Sequence, residues 1–207
     1  MYYTEKKLFV VITTKIIKKG EAMYFNLSGP DNTGEAVRIA VEEAKKRKIS
    51  HIVVASCSGD TAFSLAEEAR KKGYDGRLVC VTHVYGFREN GTNELSDENR
   101  KELEKQGMLV CTAGHSLSGA ERCLSRKFQG VYPVEIISHT LRMLGQGVKV
   151  CVEIAVMALD AGLIPFGKPV IALGGTGKGA DTASILTPGY SSSVLDTKIH
   201  EILCKPL

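Results

Sequence analysis

The sequence predicts an α/β domain: an open, three-layer, mostly parallel sheet with helices on both faces. Three observations carry this. Short runs rich in β-branched residues recur along the chain and are apolar at consecutive positions, as strands buried on both faces are. Between them lie helix-length segments whose apolar residues repeat at helical spacing. The two kinds of segment alternate, which selects right-handed βαβ units and a parallel sheet.

Each element follows in order. Residues 1–21 are set apart as an N-terminal extension or edge strand, with a strand-like run at Leu8–Ile12 and a lysine-rich stretch ending at Gly20. One domain is expected over 22–207. Asn32 can cap a helix with Glu35 as its reciprocal partner, and Ala36, Val37, Ala40, Val41 and Ala44 form that helix's apolar face. Ile52–Ala55 reads as the first buried strand. A helix from Asp60 to Lys72 carries Ala62, Leu65, Ala66 and Ala69 and stops at Gly73.

The second strand is Leu78–Thr82, followed by a loop from His83 to Leu95. Ser96 opens a charged helix ending at Gly107, and Met108–Thr112 is the third strand. Ser118 with Glu121 has the spacing of a capping box for a helix toward Phe128. Helices over Val134–Leu144 and Val148–Ala161 meet at Gly145-Gln146-Gly147. The second is apolar almost all round, so it must lie against the sheet or in a subunit interface. Its lone acid, Glu153, is either at a special site or a hydrogen-bonded acid at the helix margin. Pro169–Leu173 is the fourth strand and Ala183–Thr187 a short one ended by Pro188. Asp196 is expected to cap a final helix, Thr197–Cys204.

Composition narrows the partners. The chain has 207 residues, enough for one large domain, and its net charge of +4 is small for that length. Lysine and arginine lie spread along helix ends, where they suit the macrodipole, rather than in the stripe a nucleic acid needs. Six cysteines show no CxxC pair and no zinc spacing, so no metal site is expected. Free thiols fit a reducing, cytoplasmic setting. The run Leu8–Ile12 is too short to span a bilayer, and no membrane partner is expected.

Two loops carry the chemistry. Ser56-Cys57-Ser58-Gly59-Asp60-Thr61 joins a buried strand to a helix, so backbone N–H groups and the helix dipole converge where an anion can sit and hydroxyls complete the cradle. Asp60 could instead serve only as a cap. The second loop runs Gly174-Gly175-Thr176-Gly177-Lys178-Gly179-Ala180-Asp181-Thr182. It is not a Walker loop. It matches a loose dinucleotide fingerprint, but a strand follows where that motif needs a helix. What it offers is a glycine-lined backbone that a phosphate or ring can approach. His83 and His115 each follow a strand, so both loops and both histidines are expected on the carboxyl edge, where ligands of open sheets bind. No catalytic constellation stands out; Gly114–Gly119 misses the nucleophile-elbow pattern.

Ala36–Ser58, Gly59-Asp60-Thr61-Ala62 and Val79–His83 resemble the C-terminal domain of pyruvate kinase. More closely, the chain resembles free-standing archaeal and bacterial proteins related to that domain. Segments carrying this resemblance include Gly130–Ile136, Gly147–Ile154 and Gly175–Thr182, over residues 22–207; residues 1–20 lie outside it. The resemblance implies that the first and fourth strands are neighbours, bringing Ser56–Thr61 beside Gly174–Thr182. It implies flavin mononucleotide (FMN) as ligand, with the phosphate on Ser58–Thr61 and the ring near His83, His115 and the glycine loop. Cys57 is unexpected in such a loop. Pyruvate kinase activity is not implied, because phosphoryl transfer belongs to the barrel. Three function classes stay open: a binding or regulatory module for FMN or a sugar phosphate, a flavin-dependent oxidoreductase, and an interaction protein. A homo-oligomer is expected, since pyruvate kinase assembles partly through this domain.

Overall fold

The structure, a computed structural model, describes residues 17–19 and 22–207. The strand expected at Leu8–Ile12 lies outside the described residues. Among the described residues, eight strands form one sheet in the order β1-β2-β8-β7-β6-β3-β4-β5. These are β1 (Ile17–Lys19), β2 (Ala22–Phe25), β3 (His51–Ala55), β4 (Arg77–Thr82), β5 (Leu109–Thr112), β6 (Val170–Gly174), β7 (Thr182–Thr187) and β8 (Lys198–Pro206). β6, β3, β4 and β5 pair in parallel, and so do β2 and β8. Only β1 and β7 run against the rest. The first and fourth strands of the βα series, β3 and β6, are direct neighbours.

Helices cover both faces. α1 (Thr33–Arg47), α2 (Asp60–Lys72) and α3 (Asp97–Lys105) lie on one; α6 (Gln146–Asp160) lies on the other, with α4 (Glu121–Phe128) and α5 (Pro133–Arg142) outside it. The strand sequences show why both faces need cover. Ile52, Val54, Ile171 and Leu173 pack with Val37, Val41, Leu65 and Leu103 on the first face. The intervening Val53, Val170 and Ala172 pack with Cys151, Val156 and Leu159 of α6 on the second. Complete burial of each large aliphatic side chain contributes roughly 1.5–3 kcal/mol. The nearly all-apolar α6 is thus explained by its bed across β3, β6 and β7. Among the described residues, no helix is long and apolar enough to cross a membrane.

Three local expectations are corrected. The segment 197–204 is strand β8 rather than a helix, and Asp196 ends a short 3-10 helix, Ser191–Asp196. Between Ala183 and Ser184 the β8 partner jumps from Cys204 to Ile202, and a second shift lies between Ile185 and Leu186. These bulges break the two-residue alternation, so Ile199, Ile202 and Leu203 mimic helical spacing. The open edges of β7 and β2 take the segment as a strand. Asn32 precedes α1 but makes no side-chain cap; its amide donates to Leu27 C=O at 2.8 Å, and Glu35 pairs with Arg38 instead. Ser118 does not cap α4 either: a turn intervenes, and Glu121 accepts the Glu135 N–H at 3.0 Å. Ser96 does cap α3, accepting the Asn99 N–H at 3.1 Å.

Candidate functional site

Parallel pairing puts the ends of β6, β3, β4 and β5 on one carboxyl edge, in that lateral order. Ser56 continues the ladder through its N–H to Val81 C=O, and its buried hydroxyl accepts the Ala62 N–H at 3.3 Å. Cys57 and Ser58 form the turn, and Gly59 adopts a φ of 104° that disfavours any side chain. The first intrahelical bond of α2 is Phe63 N–H to Gly59 C=O, so the N–H groups of Asp60 and Thr61 have no intrahelical acceptor. This is an anion-friendly helix start. Asp60 keeps its own carboxylate there, held by the Ser58 hydroxyl at 2.8 Å, and an incoming phosphate must share the seat with it. Thr61 is buried beneath.

The glycine loop lies on the neighbouring strand end. Most of its glycines answer to the protein itself. A Cβ on Gly174 would stand 2.6 Å from Gly147 C=O, and one on Gly175 would stand 2.6 Å from Gly179 C=O. Gly179 presses on Thr33 and Pro30, at the start of α1. Gly177 alone of the four faces open space, at the exposed tip Thr176-Gly177-Lys178. Asp181 is fully buried: its carboxylate accepts the Gly29 N–H at 3.1 Å, the Thr176 N–H at 3.3 Å and the Thr182 hydroxyl at 2.8 Å. Asp181 and Thr182 therefore sit under the loop and tie it to α1's approach.

Beyond β3 the edge turns from backbone to side chains. His83 follows β4, with its Nε2 3.3 Å from Cys57 Sγ and its Nδ1 2.5 Å from Glu94 Oε2. Glu94 also takes Arg88 Nε at 2.7 Å. Burial pushes the Glu94 carboxyl up, but its bonds to His83 and Arg88 outweigh this and hold it below the usual range. Burial, reinforced by the Glu94 charge, raises the Cys57 thiol to about 11. Phe87 lies over His83 with ring centroids 3.8 Å apart, and His115 stands 5.3 Å from both. Burial lowers the His115 imidazole below its ordinary value against the opposing charge of Glu153.

His115 is held from below by α6. Glu153 accepts the Leu117 N–H at 3.1 Å and pairs with Lys149 at 2.5 Å, both nearly inaccessible, while its carbonyl takes the Ser116 hydroxyl. The lone acid of the apolar helix is thus a hydrogen-bonded anchor for the 115–118 loop. Two clefts flank the rim. One, of about 300 Å³, opens at the start of α6 between Arg142, Gln146, Thr176 and Lys205; the other, of about 230 Å³, lies between Leu117, Ser118, Arg122 and Arg142. Neither is lined by the 56–61 turn.

Glu94 and Phe87 carry no signal in the sequence, because both lie in an irregular loop with nothing in their spacing to mark them. Arg142 and Lys205 are likewise brought to one cleft only by the fold.

Loops gathered on the carboxyl edge of a mostly parallel sheet covered by helices on both faces define an open-sheet α/β domain. The family model described as pyruvate kinase, alpha/beta domain matches residues 35–186, from α1 through β7 and including both loops. The chain belongs to that family.

Proposed function

We propose that this protein binds a phosphorylated small molecule, FMN, along the carboxyl edge of its sheet. The observation that carries the reading is the juxtaposition of two unlike surfaces on adjoining strand ends. The uncovered start of α2, with Ser58 and the tip Thr176–Lys178 alongside, suits a phosphate. The Phe87–His83–His115 cluster offers flat rings against which a planar heterocycle can stack. FMN joins those two chemistries in one molecule, and the family resemblance implies it. His115, held neutral by burial, would then be the proton-handling group of an oxidoreductase, should the flavin turn over.

A sugar phosphate is the second reading, favoured by the cleft at the start of α6, where Arg142 and Lys205 supply positive charge beside Gln146 and Thr176. For a partner we propose a second copy of the chain. Since α6 is buried against its own sheet, the supporting surface is the outer layer, where Leu124, Phe128, Ile136 and Met143 are exposed. Native mass spectrometry of protein purified without added ligand tests these readings together. A copy number above one with the mass of FMN retained is expected. A monomer would remove the oligomer, and failure to hold FMN when it is supplied would remove the flavin.

A further inference from the structure

We propose that Cys57, His83 and Glu94 form a nucleophilic thiol triad on this rim that accepts acyl groups from activated esters or thioesters. The geometry points to it. Cys57 Sγ lies 3.3 Å from one ring nitrogen of His83, and Glu94 holds the other at 2.5 Å. Nucleophile, base and orienting carboxylate thus stand in line, which is the arrangement that activates a thiol for attack. The order is maintained from outside: Arg88 holds the far oxygen of Glu94, Phe87 covers the imidazole, and Asn93 donates to His83 C=O at 2.9 Å. Cys57 itself is half-buried rather than sealed in the core, unlike Cys80, Cys111, Cys151 and Cys204.

The same three residues bring one donor atom each within 4.8 Å of one another, as a metal site would. The ring decides between the two uses. His83 presents its two nitrogens to different partners on opposite sides, whereas a metal takes one nitrogen and needs its remaining ligands on that side. Glu94 therefore orients the imidazole. It is a positioning residue, and Cys57 and His83 carry the chemistry.

In the reaction, the Cys57 S–H proton passes to His83 Nε2 as the S–C bond forms to the acyl carbon. The bond to the leaving alcohol or thiol breaks, and His83 returns the proton to it. Water then attacks the thioester, giving a proton to His83, and releases the acid; the proton returns to the Cys57 sulfur. The N–H groups of Asp60 and Thr61, without intrahelical acceptors, lie on the same turn, where a developing oxyanion shares the seat with the Asp60 carboxylate. Burial and the Glu94 charge hold the Cys57 thiol high, at about 11, so it stands protonated at neutral pH and attacks only as His83 takes its proton.

This inference is independent of the flavin reading: ligand content tests one and cysteine reactivity the other. The experiment is peptide-resolved alkylation by iodoacetamide across pH 6–9, with the exposed Cys123 as internal standard, then 4-nitrophenyl acetate as acyl probe. Cys57 is expected to become acetylated with release of nitrophenol while the exposed Cys123 does not. His83→Gln should lower its rate about tenfold or more without changing Cys123, and Glu94→Gln should shift its pH profile. No acetylation of Cys57, or a rate of reaction indifferent to His83→Gln, would overturn the triad. The wild-type comparison needs no variant, so it stands even where a variant fails to fold.

Discussion

The turn after β6 and the loops after β4 and β5 share one edge of the sheet but are made of different materials. The β6 turn is backbone brought close to backbone: Gly174 lies against Gly147 at the start of α6, and Gly179 lies against α1's approach, with Asp181 bonding both sides from beneath. The β4 and β5 loops are side chains arranged around side chains: His83 between Cys57 and Glu94, Phe87 over it, His115 beyond. Backbone packing tolerates no added atom, so substitutions there act on folding. A side-chain constellation on a half-exposed loop can lose a member and leave the fold standing, so substitutions there act on chemistry.

The sharpest way to break this contrast is at the buried ion pair that supports the side-chain half. Glu153→Ala strands the Lys149 ammonium and the Leu117 N–H, and should cost about 3–5 kcal/mol in urea unfolding. The double change Lys149→Met with Glu153→Leu should recover the part owed to the stranded ammonium but not that owed to the Leu117 N–H, which stays unpaired. A single variant as stable as the wild type would show that the loop needs no such anchor. A smaller effect compares the halves directly. Gly174→Ala forces a Cβ to within 2.6 Å of a carbonyl oxygen and should destabilise by about 1–3 kcal/mol. His83→Gln should change stability by less than about 1 kcal/mol. Equal losses at the two sites would erase the distinction.

The two halves also differ in how far they were legible in the sequence. The glycine loop announces itself through composition, and the turn Ser56–Thr61 through its place between a β-branched run and a capped-looking helix. Alternation of elements sufficed for the sheet and its parallel core, while the β3–β6 adjacency came from the family resemblance alone. The sequence did not reveal that Gly174 and Gly175 are spoken for by the protein's own packing, because glycine marks close approach without naming what approaches. Glu94 was hidden for another reason. Its role depends on a loop path from Val84 to Leu95 that no periodicity encodes, and Cys57 looked out of place until that loop was folded over it. At the C-terminus, two bulges disguised β8 as a helix. Regular structure is written in spacing; a site built across irregular loops is written only in three dimensions.

The most direct measurement is equilibrium titration of the protein with FMN and with riboflavin, followed by flavin fluorescence. Occupation of the rim as proposed, with phosphate at the start of α2 and ring against Phe87 and His83, predicts saturable binding of FMN and at least tenfold weaker binding of riboflavin, which lacks the phosphate. No binding of either, or equal affinity for both, would contradict it.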